Sequence, residues 1–235
     1  MHQHLHQHLH QLQNSDSSCS CPLSAIDPAP SFLQTARDFV HCFRSGFETT
    51  EQAPWLPHPA PAQEQIRFVQ QSVRSDIQHG ELHGHNSFLE QWRRYTAFFG
   101  SLTLDPDSFK LLRPNADHVV CQVQLTMSLG LISASFQHVF LHLLQAQHSA
   151  LFNRLYNQQI HVPTTLQLQF DVLGRVSCFN WSPNFIAALR PLLSTYEDVA
   201  TVLQDAHISA CGHLGDARSF RDARLSLAFV LGPTT

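Results

Sequence analysis

Apolar residues recur at steps of three and four up to Gly100 and at steps of two over much of the remaining chain, which predicts helices first and strands after. Phe32, Ala36, Phe39, Val40 and Phe43 predict a first helix, with Ser31 as its N-cap and Gly46 as its stop. A Pro-rich loop from Thr49 to Pro61, containing Trp55, separates it from the next apolar stripe. Ile66, Val69, Val73 and Ile77 predict a second helix that runs to Gly80. Phe88, Leu89, Trp92, Tyr95 and Phe99 predict a third, capped by Asn86 or Ser87 and closed by Gly100.

Beyond Gly100 the stretch SLTLDPDSFKLLRP alternates at first, and Asp105-Pro106-Asp107 predicts a turn. Val119, Cys121, Val123, Leu125 and Met127 share one face of a strand, with Gln122, Gln124 and Thr126 on the other. Leu166, Leu168 and Phe170 alternate with Gln167 and Gln169, and Asp171 to Gly174 reads as the turn of an antiparallel hairpin with one solvated face. FQHVFLHLLQ fits either period, and His148 to Tyr156 reads as a short helix. NFIAALRPLL and YEDVATVLQDA predict two more helical pieces, the second with Glu197 and Asp198 in a first turn that favours acids. Helices before strands imply an α+β fold: three N-terminal helices packed on a curved, mostly antiparallel sheet that can enclose an apolar pocket.

Both ends read differently. His2, His4, His6, His8 and His10 alternate with Gln and Leu, and a Ser-rich, Pro-dotted stretch continues to Pro30. Residues 1–30 are therefore expected to be a disordered tail, residues 31–211 the folded domain and residues 212–235 a poorly defined C-terminal tail. The alternating imidazoles offer no closed tetrahedral site, so no metal is assigned to them.

The composition narrows the function. The chain has 14 Lys and Arg against 18 Asp and Glu, and Lys110 is its sole lysine. The basic footprint that neutralises phosphates is missing, so direct nucleic-acid binding is not expected. Cys19, Cys21, Cys42, Cys121, Cys178 and Cys211 do not form a zinc-ligand spacing and read as small hydrophobes of a reducing compartment. With neither a secretory signal nor a long apolar run, a nuclear or cytoplasmic location and no membrane contact are expected.

Several pieces fall into a familiar order. Asp76-Ile77, Gly84, Leu89-Glu90-Gln91-Trp92, Phe170-Asp171, Gly174-Arg175-Val176 and Glu197-Asp198-Val199 together resemble the C-terminal domain of oomycete-type bZIP transcription factors over residues 31–210. The resemblance implies the cone fold shared by SnoaL-like cyclases, nuclear transport factor 2 and ketosteroid isomerase. In that family a basic region and a leucine zipper precede the domain. The first 30 residues here contain no Lys or Arg and no leucine heptad. No DNA-contacting residue is therefore carried over; the chain reads as a relative without a DNA reader, or as one truncated below it.

Cone-fold enzymes place an acid or base in the pocket, which makes Asp76, His118, His138, His142 and Asp171 the candidates. Asp171 is read as a turn residue, and Asp76 as a pocket residue without a catalytic role. His138 and His142 share a face if their segment is helical, but no H-E-x-x-H glutamate accompanies them. Trp92, Tyr95 and Phe99 either line a pocket, with Asp76, or form plain core. Arg93 and Arg94 read as solvated charge.

The expectation is thus a non-enzymatic interaction or ligand-sensing domain of a transcription-factor-like protein. It needs no cofactor and pairs with a protein (bZIP relatives or itself) or with a small apolar ligand. The alternatives are an isomerase or cyclase of the cone fold, and a bZIP factor whose DNA-binding part lies upstream.

Overall fold

The computed structural model describes residues 29–47, 62–115 and 118–215. The His-rich stretch before residue 29, the loop carrying Trp55 and the chain after Gly215 lie outside the described residues, as does the His118 side chain. Seven α-helices and six strands are described: α1 Ala29–Cys42, α2 Ala62–Ser72, β1 Val73–His79, β2 Leu82–His83, α3 Gly84–Phe98, β3 Leu102–Asn115 and β4 His118–Gly130. The order continues with α4 Ser133–His138, α5 Ser149–Leu155, β5 Gln159–Phe170, β6 Val176–Pro183, α6 Phe185–Leu189 and α7 Tyr196–Gln204.

The strands form one curved, six-stranded sheet in the order β2-β1-β6-β5-β4-β3. The neighbours are antiparallel except β1 and β6, which run parallel. The fold is therefore the α+β arrangement that the periodicity implies. In β4 the residues Cys121, Val123, Leu125, Met127 and Leu129 are buried, and β5 answers with Ile160, Val162, Leu166, Leu168 and Phe170. The opposite face is polar and uncharged at its centre: the Gln167 amide donates to Gln122 Oε1 at 3.2 Å and the Thr165 hydroxyl to Gln124 Oε1 at 3.0 Å. That is how an antiparallel sheet with one wet face reads in sequence.

Three expected boundaries move. The apolar stripe assigned to one helix is split, because α2 ends at Ser72 and Val73 begins a strand. A step of four fits both the helical and the extended repeat, so Val69, Val73 and Ile77 face the core across the change. The predicted turn at Asp105-Pro106-Asp107 is instead an irregularity within β3, whose pairing with β4 shifts between Pro106 and Ser108. Pro106 is tolerated because β3 is the sheet's outer strand; the Leu104 N–H, two residues earlier, points off that edge to Arg44 O at 2.8 Å. The packed chain also continues past residue 211 to Gly215, with Gly212, His213, Leu214 and Gly215 all buried.

The caps differ in detail too. α1 starts two residues before Ser31, and α3 starts at Gly84 after His83, so neither Asn86 nor Ser87 is its cap. Thr195 caps α7 by accepting from Asp198 N at 3.1 Å, and Glu197 and Asp198 occupy its first turn as expected.

Candidate functional site

The space between α3 and the sheet is filled with rings. Phe39, Phe43, Phe88, Trp92, Phe179 and Trp181 are all buried, with the Trp92 and Trp181 rings 5.6 Å apart at an angle of 69°. Trp92 and Tyr95 line the cavity that remains, which measures about 20 Å³, room for a single water molecule. Phe99 stacks behind Tyr95 at 5.8 Å and is not part of that lining.

The open end of this interior is covered by residues 207–215. Among the described residues, their one ladder contact is the bridge between Ile208 and Leu214. Side chains of α3 fasten the segment instead. The Tyr95 hydroxyl donates to Gly212 O at 2.6 Å, Leu214 N donates to Gln91 Oε1 at 2.8 Å, and Arg94 donates to Leu214 O at 2.7 Å. Burial pushes the Tyr95 phenol well above its ordinary range, so it stays a donor. Gly212 has φ +71°, and a Cβ there would lie 2.7 Å from Trp181 Cδ1. Only glycine lets the chain pass so close to the indole.

Two imidazoles complete the closure. His79 Nδ1 lies 3.3 Å from His213 Nε2, and His79 Nε2 lies 3.0 Å from Ser87 Oγ. Ser87 spends its hydrogen on a backbone carbonyl, that of His83 at 2.5 Å or of Gly84 at 3.0 Å. It therefore accepts from His79 Nε2–H. His79 Nδ1 is then a bare acceptor, and His213 Nε2–H must donate to it. Burial, then the neighbouring His213 and His83, push His79 down to about 4, and burial does the same to His213. Both rings are neutral near pH 7.

The sequence candidates lie elsewhere. Asp76 is on β1, not on a helix, with an exposed side chain that accepts from Arg74 at 2.8 and 2.6 Å. The Arg74 hydrogen bond holds its carboxyl below the usual range. Asp171 serves the hairpin turn: its Oδ1 accepts from Leu173 N and Arg175 N, both at 2.9 Å. Partial burial raises its pKa, but those backbone donors and the Arg175 guanidinium outweigh this and hold it low. His138 ends α4 and stacks on Phe98 at 4.5 Å, whereas His142 sits in a separate 3₁₀ turn with its Nε2 3.0 Å from Thr201 O. They do not share a helix face. Among the described residues no group of three His, Cys, Asp or Glu side chains is placed to hold a metal. Arg93 and Arg94 are not plain solvated charge, since both pair with Glu90 and Arg94 also reaches Leu214.

A larger space lies outside the interior. An open groove of about 480 Å³ runs between the middle of β4 and β5, the end of β6, α6, α7 and the closing segment. Pro163, Pro183, Phe185, Ile186, Leu203 and Ile208 supply its apolar walls, with hydroxyl and amide groups between them and no charged residue. Ile186 is 45% exposed there. Periodicity marks neither the groove nor the histidine pair. His79 does carry one signal, an apolar phase with Val73 and Ile77; His213 carries none.

Among the described residues no helix is long and apolar enough to cross a membrane. A search of curated proteins finds no match. Solved structures with a similar course include TsrD from Streptomyces laurentii, at 12% identity and TM-score 0.43 over 71% of this chain and 97% of that one. A type 3 hexachlorocyclohexane dehydrochlorinase, LinA, from Novosphingobium barchaimii LL02 has 11% identity and TM-score 0.42 over 66% and 86%. Mtr2 from Candida albicans has 10% identity and TM-score 0.34 over 67% and 96%. Residues 33–98, from α1 through α3, match the family model of the BZIP transcription factor 1 C-terminal domain, in line with the resemblance read from the sequence.

Proposed function

We propose that this chain is a non-enzymatic binding module of the transcription-regulator type, working in the nucleus and holding a small, uncharged, mainly apolar molecule in the open groove. The observation that carries the reading is the groove itself: about 480 Å³ with walls that contain no charged side chain. That volume lies in the range of small-molecule sites, and an uncharged lining penalises charged ligands, whose desolvation it does not repay. An isomerase of the cone type needs a carboxylate or imidazole turned toward its substrate. The groove lining has neither, and in the interior His79 spends both ring nitrogens on His213 and Ser87.

The test is a titration with N-phenyl-1-naphthylamine, a neutral apolar fluorophore. Saturable one-site binding is expected, weakened at least tenfold by Ile186→Glu and unchanged by Asp76→Asn. Absence of saturable binding, or indifference to Ile186→Glu, overturns the proposal. So does retardation of duplex DNA by the purified chain. If Ile186→Glu disrupts instead the capture of a bZIP relative or of a second copy, the groove is a protein-docking site and the small-molecule reading fails.

A further inference from the structure

We infer that residues 207–215 form an acid-released latch, held shut by the neutral His79–His213 pair and opened when that pair takes up a proton. The latch meets the body through its main chain at His207 N to Val139 O, 2.8 Å, through the side chains of Gln91, Arg94, Tyr95 and His79, and through the buried Ile208 and Leu214. A segment tied largely by side chains, and not paired with any strand of the six-stranded sheet, opens locally at lower cost than the whole fold.

A proton taken up by His213 adds to its other ring nitrogen and leaves a cation among buried rings, whereas one taken up by His79 meets the His213 N–H. With His79 Nε2–H committed to Ser87, a proton added to His79 must go on Nδ1, directly opposite His213 Nε2–H at 3.3 Å. The charges acting on His79 are those of His213 and His83, and both oppose it. On α3, Glu90 is tied to Arg93 and Arg94, and Arg94 also donates to Leu214 O. The Tyr95 phenol is neutral and committed to Gly212. Cys211, within the latch, has its sulfur near Gly80. Swinging His213 out to water relieves the repulsion and carries Gly212 off the Trp181 ring. Because Ile208, Ser209 and Ala210 wall the groove on the latch's other side, release also dismantles that wall. The inference does not require that the groove bind anything.

Hydrogen exchange followed by mass spectrometry tests it, with rates corrected for the intrinsic effect of pH. Between pH 7 and pH 4.5, peptides covering 207–215 are expected to lose protection at least tenfold, while those covering β4 and β5 keep theirs. In His213→Gln, which retains a neutral donor, the pH effect on 207–215 is expected to fall to threefold or less. The inference is overturned if all segments lose protection together, or if His213→Gln keeps the full pH dependence. Should that variant not fold, the ring-proton titrations of the wild-type histidines decide. Two imidazoles with midpoints near 4 that move together with latch exchange support it, and midpoints near 6.5 with an unchanged latch overturn it.

Discussion

His79 and His213 meet ring to ring at 3.3 Å across 134 positions of sequence, joining the first long strand to the last described turn. This contact makes stability depend on pH with a definite sign. Unfolded imidazoles protonate near pH 6.5, whereas the buried pair holds out to about 4. Between those values the unfolded chain binds more protons, so the contribution is complete above pH 6.5 and is lost as pH falls toward 4. Urea melts at pH 7 and pH 4.5 are expected to differ by roughly 2 kcal/mol from this source, less than the full shifts because of solvent screening. In His79→Phe the His79 part of that difference should be absent, while the part from the buried His213 remains.

Trp92 has ring partners in Phe39, Phe43, Tyr95 and Trp181. Trp92→Ala is expected to cost about 3–5 kcal/mol in chemical denaturation, because rings that pack this tightly cannot collapse into the space. A cost below about 1 kcal/mol would show that the interior is loosely filled.

The Tyr95 hydroxyl is the sole part of that residue that Tyr95→Phe removes. The Gly212 carbonyl then lies buried without its donor, so a loss of about 1–3 kcal/mol is expected. Exchange of the Gly212 and His213 amides should quicken more than that of β5, since the bond belongs to the closing segment.

The two aspartates that sequence reasoning singles out should behave differently. Asp76→Ala removes only an exposed pair with Arg74 and should change stability within about 0.5 kcal/mol. Asp171→Ala leaves the Leu173 and Arg175 amides without their acceptor and should cost about 1–2 kcal/mol. Asp171→Asn keeps Oδ1 and should recover most of it. Equal effects at the two positions in thermal melts would contradict the assigned roles.

Val119 to Met127 and Leu166 to Phe170 alternate cleanly because one sheet face is buried and the other wet, so strand, face and hairpin turn are all readable from sequence. Val73 and Ile77 mislead because their four-residue spacing serves a strand as well as a helix. Asp105-Pro106-Asp107 carries turn chemistry, yet an outer strand absorbs a proline at no cost in ladder bonds. Trp92 and Tyr95 are readable as a buried stripe, but whether such a stripe surrounds a cavity or fills it depends on Phe179 and Trp181, far along the chain. The closure by Gly212, His213 and Leu214 has no period at all, since side chains from other elements hold it.

At neutral pH the aromatic interior is filled and closed, which leaves the groove as the accessible space. Amide and indole resonances of the ¹⁵N-labelled chain, tracked while N-phenyl-1-naphthylamine is added at pH 7, probe both spaces at once. Saturable shifts confined to residues around Ser182–Ile186 and Ala206–Ala210, with the Trp92 and Trp181 indole signals unmoved, are the expected result. Indole signals that shift along the same binding curve while the groove amides stay still would contradict it.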